Sequence, residues 1–464
     1  MTKRLAFIRP KAQDKNFVPP LGVLIMASIM EKEGWTVRFF DEYIEREVFD
    51  SLIDFCPSII GITCVTANVL RGRELAGKIK KELPGIVTVF GGAHPTFMPE
   101  EVLGWDEADF VIIGEGEYPL RDLCNYLISG TTSSQLETIS NICYKRDGKI
   151  IKNKIRSLLS PEELDGLPNP AFHLLNIEKV FRNIRHGLFQ KGRRILPIMA
   201  SRGCPNHCMF CFRMMGSEMR YRNYELVLRE IEDMISDYGV DEIWFEDDNF
   251  TADKNRAHIL LDLIIERNYG IYVKFANGIR ADSLDKELLE KMKKAGCYSI
   301  SFGIESGSPK TLKLMRKHLS LDKVRNNVKI AKSMGFLVGL NCIIGYPGET
   351  IGDINVSLDY MMELDPDSMA IVNLIPFPGT EVRNICVENG YLTKEASNWN
   401  NYIFDINNPK ILIETELLNG KAIKGMINHA YRRMYLRPQK IYNIIRHMKP
   451  GDIIEAAKVM LFNN

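Results

Sequence analysis

No stretch of this chain is both long and apolar enough to cross a bilayer. The longest candidate, FLVGLNCIIGYPG at 336–348, is too short and carries Asn341. The opening MTKRLAFIRPKAQDK has a basic start but only a very short apolar run, which fits neither a signal peptide nor a span. A net charge of +1 gives no global argument for a nucleic-acid partner, and none is expected. Repeats of solenoid period and low-complexity tracts are absent, which excludes stacked-repeat architectures and compositionally biased disorder. A small secreted disulfide framework is excluded as well: ten cysteines in 464 residues, without a secretory signal, fit a reducing cytoplasm. Seven of them, Cys56, Cys64, Cys124, Cys143, Cys297, Cys342 and Cys386, sit among apolar neighbours, the usual setting of buried structural thiols.

What is present is an ordinary soluble composition, 45% hydrophobic and 26% charged, in a chain longer than one core usually supports. The fold class expected is α/β. Through residues 1–135, apolar runs such as RLAFIRP, SIIGITCV and VTVFGGAH alternate with amphipathic stretches, which predicts a Rossmann-like domain with a parallel sheet. Ligands of such sheets lie beyond the carboxyl ends of the strands, here near PPLG, TCVT, GGAHPT and GEGE. Residues 136–192 loosen into a hairpin and a proline-containing connector. From 193 to 380 the alternation resumes through ILPIMAS, DEIWFED, IYVKFAN, YSISFGIESG, FLVGLNCIIGYPG and SMAIVNLIPFPGT, which suggests a partial (β/α)6 TIM barrel. Residues 381–464 predict a mainly helical C-terminal region.

Within SRGCPNHCMFCF, residues 201–212, Cys204, Cys208 and Cys211 follow a C-x3-C-x2-C spacing just after the first barrel strand. A zinc site completed by His207 is the plainer reading, but zinc sites usually pair two short knuckles and no second Cys-x2-Cys exists. A cubane iron–sulfur cluster normally takes four thiolates; with three, one iron keeps a position open to a chelating amino and carboxylate group. The triplet resembles that of the radical S-adenosylmethionine superfamily, which binds a 4Fe-4S cluster through it and S-adenosylmethionine at the fourth iron. That resemblance implies an adenine contact for Phe210 and a methionine-amino contact for Glu246, Asp247 and Asp248 in WFEDDNF. It further implies a carboxylate contact for Arg280 in ANGIRAD, and ribose or methionine contacts for Glu305 and Ser306 in FGIESG. Gly345 and Pro347, with Gly348, would let backbone approach the adenine. The bland alternatives are an acidic turn, a surface ion pair and a glycine turn that needs no ligand.

The N-terminal segment resembles the cobalamin-binding domain that precedes the barrel in the cobalamin-dependent branch of that superfamily. The resemblance rests on PPLGVLIMASIMEKEGWTV, GITCVTANVLRGRELAGKIKKELPG, VFGGAHPTFMPEEVL and DFVIIGEGEYPLRDL, in that order. It implies cobalamin contacts at Pro20, Leu21, Gly22, Thr63, Thr66, Gly91, Gly92, His94, Gly114, Glu115, Gly116 and Glu117. Thr63 and Thr66 can hydrogen-bond a nucleotide tail, while Gly91, Gly92, Gly114 and Gly116 would let loop backbone approach a large flat ring. No D-x-H-x-x-G stretch exists, so the usual lower-ligand histidine is missing; His94 is a conceivable substitute, a satisfied loop histidine the simpler reading. A Rossmann-like module that has lost its cofactor is the alternative for this domain. A dinucleotide site is disfavoured because G-x-G-x-x-G does not follow the first strand.

Together the two resemblances imply that electron transfer from the cluster cleaves S-adenosylmethionine to a 5′-deoxyadenosyl radical, which takes hydrogen from an unactivated carbon that methylcobalamin then methylates. Cyclisation or rearrangement with the same cofactors is the runner-up, and a non-catalytic cobalamin or iron–sulfur protein the alternative of another class. An electron donor such as flavodoxin or ferredoxin is expected as partner, with a small-molecule or lipid substrate. Residues 421–450 carry eight Lys or Arg and no acid. There Tyr431, Tyr435 and Tyr442, among Arg432, Arg433 and Arg437, suggest contact with an anionic headgroup or membrane surface, against the commoner reading of a solvated helix face.

Overall fold

The computed structural model describes residues 2–13, 17–130, 133–185, 187–405 and 408–435. The chain forms two compact units: Met1–Arg185 with Met214–Gly216 and Arg220–Asn223, and a second unit made of the rest.

In the first unit, β1 (Arg4–Arg9), β2 (Thr36–Asp41), β3 (Ile59–Thr63), β4 (Val87–Gly91) and β5 (Phe110–Ile112) form a parallel sheet of order 2-1-3-4-5. Strand β1 lies between β2 and β3, and its interior residues Leu5, Ala6, Phe7 and Ile8 are all buried, as a strand covered on both faces requires. Helices α1 (Leu21–Lys32), α2 (Val48–Phe55), α3 (Val69–Glu82) and the short α4 (Ala93–Phe97) lie in the crossovers between the parallel strands, and α5 (Glu117–Ser129) follows β5. The hairpin set apart in the sequence, β6 (Ile142–Arg146) and β7 (Lys149–Lys152), does not stand alone: β6 pairs antiparallel with β5 and continues the same sheet. Its inner side chains Ile142, Cys143 and Tyr144 are buried there.

The second unit strings β8 (Ile195–Ile198), β9 (Glu242–Phe245) and β10 (Tyr272–Phe275) into one parallel sheet, and β11 (Ser299–Glu305), β12 (Leu337–Ile344) and β13 (Ser368–Asn373) into another. Parallel bridges Val273–Cys297 and Ile279–Phe302 join the two, so six strands follow one another around a partial barrel. Helices α6 (Tyr224–Tyr238), α7 (Lys254–Arg267), α8 (Lys286–Lys294), α9 (Leu321–Ser333) and α10 (Ile351–Leu364) fill the crossovers. Asp253, Asp285, Ser320 and Thr350 cap α7 to α10 through side-chain oxygens that accept the third helical amide.

The last helix, α11 (Gly420–Tyr435), gives two tyrosines of the basic stretch a place in the fold. Tyr431 and Tyr435 are buried, and each hydroxyl hydrogen-bonds both the N–H and the C=O of one residue of β13: Ile371 for Tyr431, at 2.9 and 3.1 Å, and Met369 for Tyr435, at 3.0 and 3.2 Å. They serve the open edge of the barrel, and Arg433 pairs with Asp359 at 2.6 Å. Arg437 and Tyr442 lie outside the described residues. Among the described residues no helix is long and apolar enough to cross a membrane.

Candidate active site

Parallel barrel strands put their carboxyl ends on one rim, so the loops leaving β8 to β13 meet there. The loop after β8 carries the cysteines, and the tip of β9 pins it. Asp247, 3% exposed, accepts from the Ala200 amide at 3.1 Å and the Ser201 hydroxyl at 2.5 Å, and Asp248 accepts from the Gly203 amide at 3.0 Å. Burial raises Asp247 to about 6, against those hydrogen bonds, and lifts Glu246 to about 7. The acids expected at an amino group thus include two that brace the cysteine loop, leaving Glu246 the member of the trio not engaged in it.

The cysteine loop is anchored again at its middle. Met209 donates its amide to Met315 and accepts from Val382, and its side chain enters an apolar cluster with Met315, Tyr346, Leu374 and Val382, against which Phe210 packs. Asn206 and Asn249 point amide groups at Cys204 Sγ, at 3.5 and 3.8 Å. Burial raises the Cys208 thiol; of the charges acting on it Lys317 is the strongest, ahead of Arg280, Glu305 and Cys204. Three thiols that feel one another from a single short loop fit a multi-iron cluster. His207, the fourth ligand of the zinc alternative, pairs with Arg213.

Glu305 ends β11 in the left-handed region, φ 66°, at a register shift against β12. Its carboxylate accepts from Lys317 Nζ at 3.1 Å, and both side chains are 11% exposed. Gly303 makes this possible, since a side-chain carbon there would lie 2.6 Å from Glu305 Oε1. Lys317 Nζ also stands 5.8 Å above the Phe210 ring. Sequence reasoning missed Lys317: it follows a short helix, Pro309–Leu314, in a turn with no motif of its own.

Several residues with expected contacts have partners within the chain. The Arg280 fork already holds a carboxylate, that of Asp282 at 2.7 Å, and also reaches Asn206 and the Lys317 and His318 carbonyls. Ser306 is fully buried, shares a hydrogen bond with Ser357 at 2.7 Å and accepts from the Ser308 amide. Gly345 and Pro347 are buried in the turn after β12, where Gly345 takes φ 84° and donates to Glu349, a residue the sequence reading passed over.

In the first unit the strand order 2-1-3 reverses direction between β1 and β3, and ligands of such sheets bind outside that switch point. Thr63 ends β3, half-buried; Thr66 is buried; between them Val65, missed by sequence reasoning, is 51% exposed. Pro20 and Leu21 begin α1, and an added side-chain carbon at Gly22 or Gly91 would meet nothing within 4 Å, while at Gly114 it would meet only the Asn141 amide at 3.8 Å. These open backbone positions and the exposed Val65 fit the approach of a large flat group. Gly92 and Gly116 have another reason: a side-chain carbon would lie 2.5 Å from the Cys64 carbonyl oxygen in one and 3.0 Å from Met26 Sδ in the other. Glu115 is buried in an ion pair with Arg220, 2.9 and 3.0 Å, and accepts the Leu159 amide; Glu117 is buried in the first turn of α5. His94 belongs to α4 rather than a loop, and both its ring nitrogens are shielded from solvent.

Comparison with known proteins follows the same division. The radical SAM superfamily model matches residues 198–361, and the B12 binding domain model residues 11–124. The chain is 30% identical over 447 residues to an uncharacterized methyltransferase of Pyrococcus horikoshii, covering 95% of this chain and 92% of that one. It is 24% identical over 394 residues to the anaerobic magnesium-protoporphyrin IX monomethyl ester cyclase of Rubrivivax gelatinosus, covering 82% and 69%. Among solved structures, the radical S-adenosylmethionine methyltransferase TsrM of Kitasatospora setae shares the fold with a TM-score of 0.73 at 17% identity, over 97% of this chain and 90% of that one.

Proposed function

Because the chain belongs to the radical SAM superfamily and carries a B12-binding domain, and is thus an enzyme of a 4Fe-4S cluster, S-adenosylmethionine and cobalamin, we propose that it methylates an unactivated carbon of a small-molecule or lipid substrate. The similarity to the Pyrococcus methyltransferase carries this reading, because it takes in both cofactor domains and the C-terminal region together. When bound, the cluster supplies the electron that cleaves S-adenosylmethionine, and cobalamin carries the methyl group.

The chain's own residues hold and orient. Cys204, Cys208 and Cys211 would ligate three irons. Asp247 and Asp248 fix the loop that presents them, and the apolar anchor of Met209 keeps that loop from yielding. Phe210, Glu246, Glu305 and Lys317 line the approach to the open iron, two acids and a cation suited to the ends of an amino acid. Gly22, Thr63, Val65, Gly91 and Gly114 would receive the corrin and its tail. A flavodoxin or ferredoxin would deliver the electron.

The test is anaerobic reconstitution with iron, sulfide and cobalamin, followed by S-adenosylmethionine and a strong reductant. Formation of both 5′-deoxyadenosine and S-adenosylhomocysteine is expected, the latter requiring cobalamin, and the Cys204→Ala, Cys208→Ala and Cys211→Ala proteins should form neither above background. The cyclase of Rubrivivax favours a second reading, radical cyclisation without net methylation. It gains if 5′-deoxyadenosine appears without S-adenosylhomocysteine.

A further inference from the structure

Lys317 occupies a turn whose backbone is unusual on both sides: Arg316 has φ 50° and His318 φ 45°, left-handed values that cost free energy for residues other than glycine. Its ion-pair partner Glu305, φ 66°, is strained in the same sense. Three such residues meet at one contact, and the surroundings hold the turn in place. Arg280 donates to the carbonyls of Lys317 and His318, the Lys317 amide donates to Leu312, and the Met209 amide donates to Met315. The same Arg280 reaches Asn206 inside the cysteine loop. The turn and the cysteine loop are therefore fastened to each other at several points.

The outcome of that strain is a buried ammonium. A lysine with 11% of its side chain exposed is expensive to desolvate, and an apolar residue would pack there at less cost unless the charge itself were wanted. The position is also informative: Nζ lies over Phe210, the residue between Met209 and Cys211, and donates to Glu305.

We propose that Lys317 is a positioning residue for charge: held between Glu305 and the Phe210 face, it raises the reduction potential of the cluster bound by Cys204, Cys208 and Cys211. Reduction adds one electron to the cluster, taken from an external low-potential donor, and a fixed cation in a poorly screened site stabilises the more negative state. The proposal rests on the cluster assignment, and its test separates the two.

Wild type, Lys317→Gln, Lys317→Arg and Glu305→Gln proteins are reconstituted anaerobically, their iron and sulfide counted, and each titrated redox-potentiometrically by EPR with S-adenosylmethionine left out. Lys317→Gln should shift the midpoint negative by about 59 mV or more, a tenfold change in the one-electron equilibrium. Glu305→Gln should shift it positive, and Lys317→Arg should restore the wild-type value. If both neutral variants titrate with wild type, the proposal fails, even where S-adenosylmethionine binding is weakened. If the wild type itself takes up no cluster, the cofactor assignment fails instead. Should Lys317→Gln not load iron, the sign of the Glu305→Gln shift decides.

Discussion

Burial holds the Glu349 carboxyl, which has no exposed surface, at about 7, although the Gly345 and Tyr346 amides pull it down. In the unfolded chain the same group titrates near 4.5. The folded protein therefore binds the extra proton between those values, and stability falls as pH rises from about 4.5 to about 7. Glu349→Gln removes that dependence: wild type should lose on the order of 3 kcal/mol relative to the variant across this window, read as the pH dependence of the difference in denaturant midpoints. At Gly303 a substitution reports on the site rather than the fold. The atoms nearest the carbon added by Gly303→Ala are the flexible ends of Glu305 and Lys317, so Glu305 swings away while the strand survives. S-adenosylmethionine affinity should fall about tenfold with iron content unchanged; unchanged affinity would remove Glu305 from the binding set. The cysteines were legible at this scale because their spacing is local. Lys317 and Asp282 were not, because what makes them matter is the tertiary approach of a turn to a loop. Asp247, Asp248 and Ser306 were placed at the correct strand ends, but sequence could not show that their oxygens face inward to amides and hydroxyls.

At the scale of elements, α11 shows how position in the fold changes the meaning of a pattern. Tyr431 and Tyr435 are four apart, which puts them on one helical face, and their rings stack at 5.9 Å. In a basic stretch that face looked solvated; in the structure it covers the edge of β13, where strand groups two residues apart point outward and would otherwise lack partners. Replacing either tyrosine by phenylalanine leaves a buried N–H and C=O without their hydroxyl. Each change should cost about 1–3 kcal/mol, and the double variant should expose an edge able to pair with another chain. Thermal melts with light scattering check both: a double variant as stable and monodisperse as wild type would mean that water replaces the hydroxyls.

For the whole molecule, the alternation of apolar runs and amphipathic stretches carried most of the architecture, since parallel strands buried on both faces read as continuous apolar segments. Register and sheet membership were not legible: nothing in ICYKR announces that it pairs with FVI some thirty residues earlier, and the hairpin was set apart for that reason. Two separate compact units have a functional consequence that can be measured. Each unit carries its own buried core beneath its own candidate cofactor residues, so loss of one cofactor need not unfold the site of the other. The triple variant Cys204→Ala, Cys208→Ala, Cys211→Ala should therefore lack iron yet titrate with hydroxocobalamin, followed by absorbance, within about threefold of the wild-type affinity. Gly114→Val should do the reverse. At φ 70° a β-branched residue strains the turn after β5 and fills open space there, so cobalamin binding should drop while iron content holds. If instead either change abolished both cofactors together, the two sites would have to be treated as one cooperative assembly, and the residue assignments made separately for each would need to be redrawn.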